Sequence, residues 1–181
     1  MKKLNYLLLT VFVFMISTSF NAQTVDEIIE NYIENTGGAE NWQNVKAIKM
    51  SASINQMGME IPIEMVQSAN KSYTKIFIQG QEIKQGVFDG ETLWSTNFMT
   101  MKAEKSDAES TENMKLEMND FPDSFLNYKE KGYTVELLGE ETIDGTEAFK
   151  IKLTTEPMMV DGKEEESVEF YFFDKESFVP I

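Results

Sequence analysis

The chain has 181 residues, 31 of them acidic against 16 lysines, for a net charge of −15, and it contains no Cys, His or Arg. These absences exclude a disulfide framework, thiolate or Ser-His-Asp nucleophiles, His-containing zinc sites and the two-pronged guanidinium grip on phosphate. The acidity argues against nucleic acid as a partner.

Lys2 and Lys3 open the chain, an apolar run follows over 7–16, and the stretch Phe20-Asn21-Ala22 closes the segment. This is the layout of a secretory signal peptide over 1–22, cleaved after Ala22, and the run is too short for a spanning helix. No cysteine stands at the site to carry lipid. Removing two lysines and no acids takes the charge from −15 to −17 and leaves a single exported domain over 23–181.

The mature part begins as a helix. Thr24 and Glu27 have capping-box spacing, and Val25, Ile28, Ile29, Tyr32 and Ile33 recur at helical intervals on one face. Gly37-Gly38 ends the helix, and a short second one over 39–45 carries Trp42 as its apolar anchor. The period then changes from 3.6 to 2. Ile48, Met50, Ala52 and Ile54 alternate with polar residues, Met57-Gly58 reads as a hairpin tip, and Met59, Ile61, Ile63 and Met65 alternate on the return. Pro62 lacks an N–H, which places it at an edge or a bulge. Further strands over 72–79, 82–88 and 92–101 make an antiparallel meander.

Residues 103–131 interrupt the sheet: a polar, mobile loop over 103–113, then an interrupted helical pattern through Met114, Met118, Phe121, Phe125, Leu126 and Tyr128, restarted at Pro122. Strands resume over 133–141, 147–155 and 167–174, with turns at Asp144-Gly145 and Asp161-Gly162. Both faces of 168–173 are apolar, so that strand is expected to be covered on both sides, and 176–181 reads as the start of another strand.

Several segments together resemble a known group. They are Val25-Asp26-Glu27-Ile28-Ile29-Glu30-Asn31-Tyr32, Thr36-Gly37-Gly38-Ala39-Glu40-Asn41-Trp42, and the strand start Val45-Lys46-Ala47-Ile48. Val87-Phe88-Asp89-Gly90-Glu91-Thr92-Leu93-Trp94 and Phe170-Tyr171-Phe172-Phe173-Asp174-Lys175 complete the set. The chain from Val25 onward is similar to the exported LolA-like outer-membrane lipoprotein-sorting proteins, through turns and anchors rather than catalytic signatures. The resemblance implies an α+β fold: a strongly curved antiparallel sheet, an incomplete barrel, with the N-terminal helix and a helical insert covering its concave side. It also implies an apolar cavity for acyl chains of lipoproteins or other lipids, a periplasmic location, inner- and outer-membrane sorting components as partners, and no cofactor. Members run longer after the Phe-Asp-Lys strand, so a C-terminal part is expected to be missing. Carriers of this type use an arginine near the cavity mouth; this chain has none, and no residue inherits that role.

Ten methionines remain in the mature part, several beside turns. Met is flexible and polarizable and suits surfaces that accept variable apolar ligands. The expected ligand-lining residues are Met50, Met57, Met59, Ile61, Met65, Trp94, Phe98, Met99, Met101, Met114, Met118 and Phe121. The plainer reading, that they fill a core between sheet and helices, stays open beside it. Covering an acyl chain of about sixteen carbons removes on the order of 12 kcal/mol of unfavourable hydration without any chemistry. Asp161, Glu164, Glu165 and Glu166 fit no calcium loop and read as a solvated hairpin tip.

The expected function is therefore a non-enzymatic carrier moving acyl cargo toward the outer membrane. The alternative is an envelope sensor or protein-interaction module on the same fold. An acid/base hydrolase would need two carboxylates facing each other in one pocket.

Overall fold

The structure is a computed structural model and describes residues 23–181; the signal peptide expected over 1–22 lies outside the described residues. Helix α1 (Val25–Asn35) starts on the expected capping box: the Glu27 amide donates to Thr24 Oγ1 at 3.3 Å, and the Thr24 amide donates to Glu27 Oε2 at 2.9 Å. Gly38, at φ +86°, leads into α2 (Ala39–Asn44), where the Trp42 indole donates to Thr36 Oγ1 at 3.0 Å.

A six-stranded antiparallel meander follows, its strands neighbouring in chain order. They are β1 (Ile48–Gln56), β2 (Met59–Ser68), β3 (Lys71–Ile78), β4 (Gln81–Phe88), β5 (Leu93–Thr96) and β6 (Ala103–Lys105). Pro62 lies on an interior strand, yet β2 pairs with β3 only from Ile63 onward, so no β3 partner is assigned opposite the proline. A bulge between Ser72 and Thr74 shifts the β3–β4 register and bends the sheet.

The expected strand over 92–101 is cut short at Thr96. Asn97 Oδ1 accepts the amides of Met99 (2.8 Å) and Thr100 (3.0 Å), which turns the chain back into β6. The supposed mobile loop over 103–113 is thus partly strand and partly helix α3 (Ala108–Glu117), capped by Asp107 Oδ1 accepting from the Ser110 amide at 2.6 Å. A 3₁₀ turn (Met118–Asp120) continues it. Beyond it the helical expectation fails: 121–132 runs through successive turns, beginning at a cis Phe121–Pro122 bond, with amides such as Leu126 N bonding only three residues back.

The second half contains β7 (Thr134–Ile143), β8 (Thr146–Thr154), a small hairpin of β9 (Met158–Val160) and β10 (Lys163–Glu165), and β11 (Val168–Asp174). β11, β8 and β7 form a three-stranded antiparallel sheet with β8 central. Its inner face carries Phe149, Ile151 and Leu153 from β8, flanked by Tyr171 and Phe173 and by Val135 and Leu137. Ile28, Ile29, Tyr32 and Ile33 of α1 pack on this face with Phe125, Leu126 and Tyr133, and this is the main core. Its aromatics meet edge-on: Phe173 lies 5.3 Å from Tyr32 and 5.3 Å from Phe125, at 73° and 79°.

The outer face of β11 is not covered by another element as expected. Phe170 is exposed, and the Lys150 ammonium lies over Phe170 and Phe172, 6.0 and 5.4 Å from their rings. The last residues fold back on β11 through a single bridge, Phe173 to Pro180, and Phe178 stacks on Phe149. The result is an α+β fold whose curved antiparallel sheets are not closed into a barrel.

Candidate functional site: the open apolar face of the six-stranded sheet

Residues directly opposite one another on antiparallel strands point to the same side of the sheet. Met50 pairs with Met65, Ala52 with Ile63 and Ile54 with Ile61, and across β2–β3 Ile63 pairs with Ile76. Ile76 in turn pairs with Ile83, while beyond the bulge Ser72 pairs with Phe88 and Phe88 with Leu93. One face is therefore apolar across five strands. The reverse face is mixed: it carries the apolar pairs Val66–Tyr73 and Val87–Trp94, and on it Glu64 takes Lys49 at 2.5 Å and Lys75 at 3.4 Å, two lysines that hold its carboxyl below the ordinary range.

Among the described residues the apolar face is covered at one end only. Met114 and Met118 of the helical insert pack on Phe88 and Leu93, and Ser72 Oγ lies 3.8 Å from Met114 Sδ. Toward β1 the cover stops. Met50 and Ile54 are each 53 % exposed and Met59 is 49 % exposed, although their sequence pattern is that of a buried strand face. A side chain of this type fully buried contributes about 1.5–3 kcal/mol, so half-exposed neighbours in register leave an unsatisfied apolar trough rather than scattered surface hydrophobes.

The twelve residues expected to line a cavity separate into groups. Met50, Met59, Ile61 and Met65 share the trough, and Met114 and Met118 roof its covered end. Trp94 pairs with Val87 and Lys105 and so points to the other side of the sheet from Leu93. Met57 stands at the β1–β2 tip, and Phe98, Met99 and Met101 stand on the β5–β6 turn, all exposed. Phe121 is half-buried at the end of the 3₁₀ turn. Ile54, Ile63 and Ile76 stand on the same face but are not among the twelve; the period-2 alternation marks them, whereas methionine and aromatic clustering does not.

Two depressions elsewhere in the structure contain none of the twelve. One of about 460 Å³ lies between α1 and residues 125–130, with Ile29, Ile33 and Phe125 in its lining and Asp26, Glu30, Glu34 and Glu130 among its acids. There Lys129 Nζ sits 2.7 Å from Asp26, and Lys129 and the Tyr128 hydroxyl hold the Asp26 carboxyl low. The other, about 100 Å³, brings Glu117, Asp120, Glu156 and Glu169 together, the kind of carboxylate convergence a hydrolase would need. Burial raises the pKa of both Asp120 and Glu117. Its volume is well below the roughly 300 Å³ at which ligand pockets begin, and it has room for a few waters rather than a sugar ring. The Asp161–Glu166 acids lie on the exposed β9–β10 hairpin, where the Asp161 and Gly162 amides donate to Glu109.

No helix among the described residues is long and apolar enough to cross a membrane. No protein-family model matches the chain, and no curated protein matches it in sequence. Among solved structures it is similar to a DUF1329 family protein from Desulfovibrio piger, at 15 % identity and a TM-score of 0.43, over 86 % of this chain and 70 % of that one. It is similar to the lipoprotein LppX of Mycobacterium tuberculosis at 10 % identity and a TM-score of 0.36, over 86 % and 84 %. A domain from Vibrio parahaemolyticus described as an outer membrane lipoprotein-sorting protein matches at 10 % identity and a TM-score of 0.41, over 84 % and 70 %.

Proposed function

We propose that the protein is a periplasmic carrier that takes acyl chains of lipids or lipoproteins onto the apolar face of its six-stranded sheet and moves them toward the outer membrane. One observation carries this reading. Met50, Ile54 and Met59 lie in register beside Ile61, Ile63 and Met65, and half of their surface is left in water. Nine residues of β1 run roughly 30 Å, enough to lay an extended acyl chain along the strand. Each CH₂ moved from water onto that face contributes roughly 0.8 kcal/mol. Thioethers lining the trough adapt to chains of different shape.

The work of the protein is then binding and release rather than chemistry. A charge of −17 after removal of the two signal lysines keeps the loaded carrier dispersed. With no arginine in the chain, cargo headgroups would meet carboxylates, lysines and backbone groups.

The test is titration with a fluorescent long-chain fatty acid, in the parent and in Met50→Glu and Ile54→Glu variants. A charge on the trough is expected to weaken probe binding at least tenfold with the thermal midpoint changed by only a few degrees. Parent protein that does not bind the probe, or variants that bind it as tightly as the parent, would refute the reading.

A further inference from the structure

In a meander, alternate turns lie at the same end of the sheet. The β1–β2, β3–β4 and β5–β6 turns therefore share one end, and the β2–β3 and β4–β5 turns share the other. The second end is polar, built from Ala69, Asn70 and Asp89-Gly90-Glu91-Thr92, and it is the end that the helical insert covers. The first end is different. Met57 and Met99 are each 95 % exposed there, Phe98 is 58 % exposed, and Met101 stands beside them.

Two features show that these side chains are held outward by design of the turns. Among the described residues are four two-residue hairpins with both central residues at positive φ, the turn that favours Asn-Gly or Asp-Gly. Two of them use Asp144-Gly145 and Asp161-Gly162; the β1–β2 tip places Met57 at φ +52°, where a long side chain is disfavoured and gains no contact. The β5–β6 turn is closed by hydrogen bonds from Asn97. Beyond its two amide contacts, Asn97 Nδ2 donates to Glu104 at 3.0 Å, and the Met101 amide returns to Asn97 O at 2.8 Å. These bonds tie the turn backbone together, and Phe98 and Met99 stand exposed on it.

Over 57–60, 78–82 and 97–104 the charged residues are Glu60, Glu82, Lys102 and Glu104. The two apolar tips stand four strand spacings apart, roughly 19 Å, with the polar Gln79-Gly80 tip between them, and a bilayer accepts such separate anchors individually.

The geometry points to this end as a membrane-docking rim: the β1–β2 and β5–β6 tips dip into a zwitterionic lipid surface and turn the open end of the trough toward it. The inference rests on the carrier reading for its purpose and is tested apart from it. The chain has no cysteine, so Met99→Cys gives one labelling point for an environment-sensitive fluorophore, with Asn70→Cys at the opposite end as its control. On adding phosphatidylcholine–phosphatidylethanolamine vesicles, the label at 99 is expected to shift to the blue and brighten, and the label at 70 is not. In the unlabelled protein, Met57→Asn combined with Phe98→Ser and Met99→Ser is expected to lower vesicle partitioning at least tenfold. Met57→Asn alone suits the left-handed backbone and keeps or raises the thermal midpoint, which separates lost docking from lost folding. Fatty-acid binding without vesicles, measured in the same variants, reports on the trough independently and is expected to persist. Absence of vesicle binding, or binding with the label at 99 unchanged, overturns the inference and leaves the tips to a protein partner.

Discussion

Replacing Phe173 by alanine and Ile54 by alanine should have very different consequences, although both are large apolar residues on strands. Phe173 is fully buried, packed edge-on against Tyr32 and Phe125 at 5.3 Å each, and it joins α1, β11 and the 121–132 turns. Truncating such a residue costs about 4 kcal/mol, the transfer loss together with the cavity left behind. For a chain of this length each kcal/mol moves the thermal midpoint by about 2–4 °C, so a fall of about 12 °C is expected. Ile54 already has half its surface in water, so its truncation forfeits about 1 kcal/mol and about 3 °C. Urea unfolding followed by circular dichroism reads both values, with unchanged slopes indicating that only stability has moved. A loss at Ile54→Ala equal to that at Phe173→Ala would mean that the β1–β2 face is packed in solution, and the open trough would be refuted.

Other expectations follow from local geometry. Thr24→Ala removes one half of the capping box on α1 and is expected to lower unfolding stability by about 1 kcal/mol, read as a shift in urea midpoint. The Asp174 carboxylate accepts from the Ser177 amide and hydroxyl and from the Glu176 amide, which hold its pKa below the ordinary value. Its contribution is therefore complete above the unfolded-state pKa and lost as pH falls through the folded one. Asp174→Asn should be less stable than the parent at pH 7, and the difference should vanish in strong acid. Asp120 has the opposite sign: Oδ1 is buried without a hydrogen-bond partner, and burial raises its pKa. Asp120→Asn is expected to have a higher thermal midpoint than the parent at pH 7, with the gain shrinking as pH falls through the folded-state value.

Much of the architecture was legible in the residues because local and tertiary demands agree. The capping box, the Ile28/Ile29/Tyr32/Ile33 face, the β1–β2 hairpin at Met57-Gly58 and the alternation of Phe149, Ile151 and Leu153 all read correctly, since burial and backbone period point the same way. The errors fall where side chain-to-backbone bonds decide the path. Asn97 turns the chain four residues into β5, and nothing in the hydropathy pattern marks that turn. Phe125 and Leu126 are buried from consecutive turns, so the core is reached there without a helix.

For the site, alternation located the apolar face but not its cover. Whether Met50 and Phe88 are core or surface depends on where the helical insert lands, and sequence spacing carries no information on that. The exposed methionines at the tips were visible as a cluster beside turns. Their grouping at one end emerges only from the strand order.

The most direct measurement is native mass spectrometry of the protein isolated gently from the cells that produce it. A mass excess matching a phospholipid or an acylated peptide, lost in the Met50→Glu and Ile54→Glu variants, is the expected result. A bare protein mass that stays bare after incubation with lipid vesicles would contradict the carrier function.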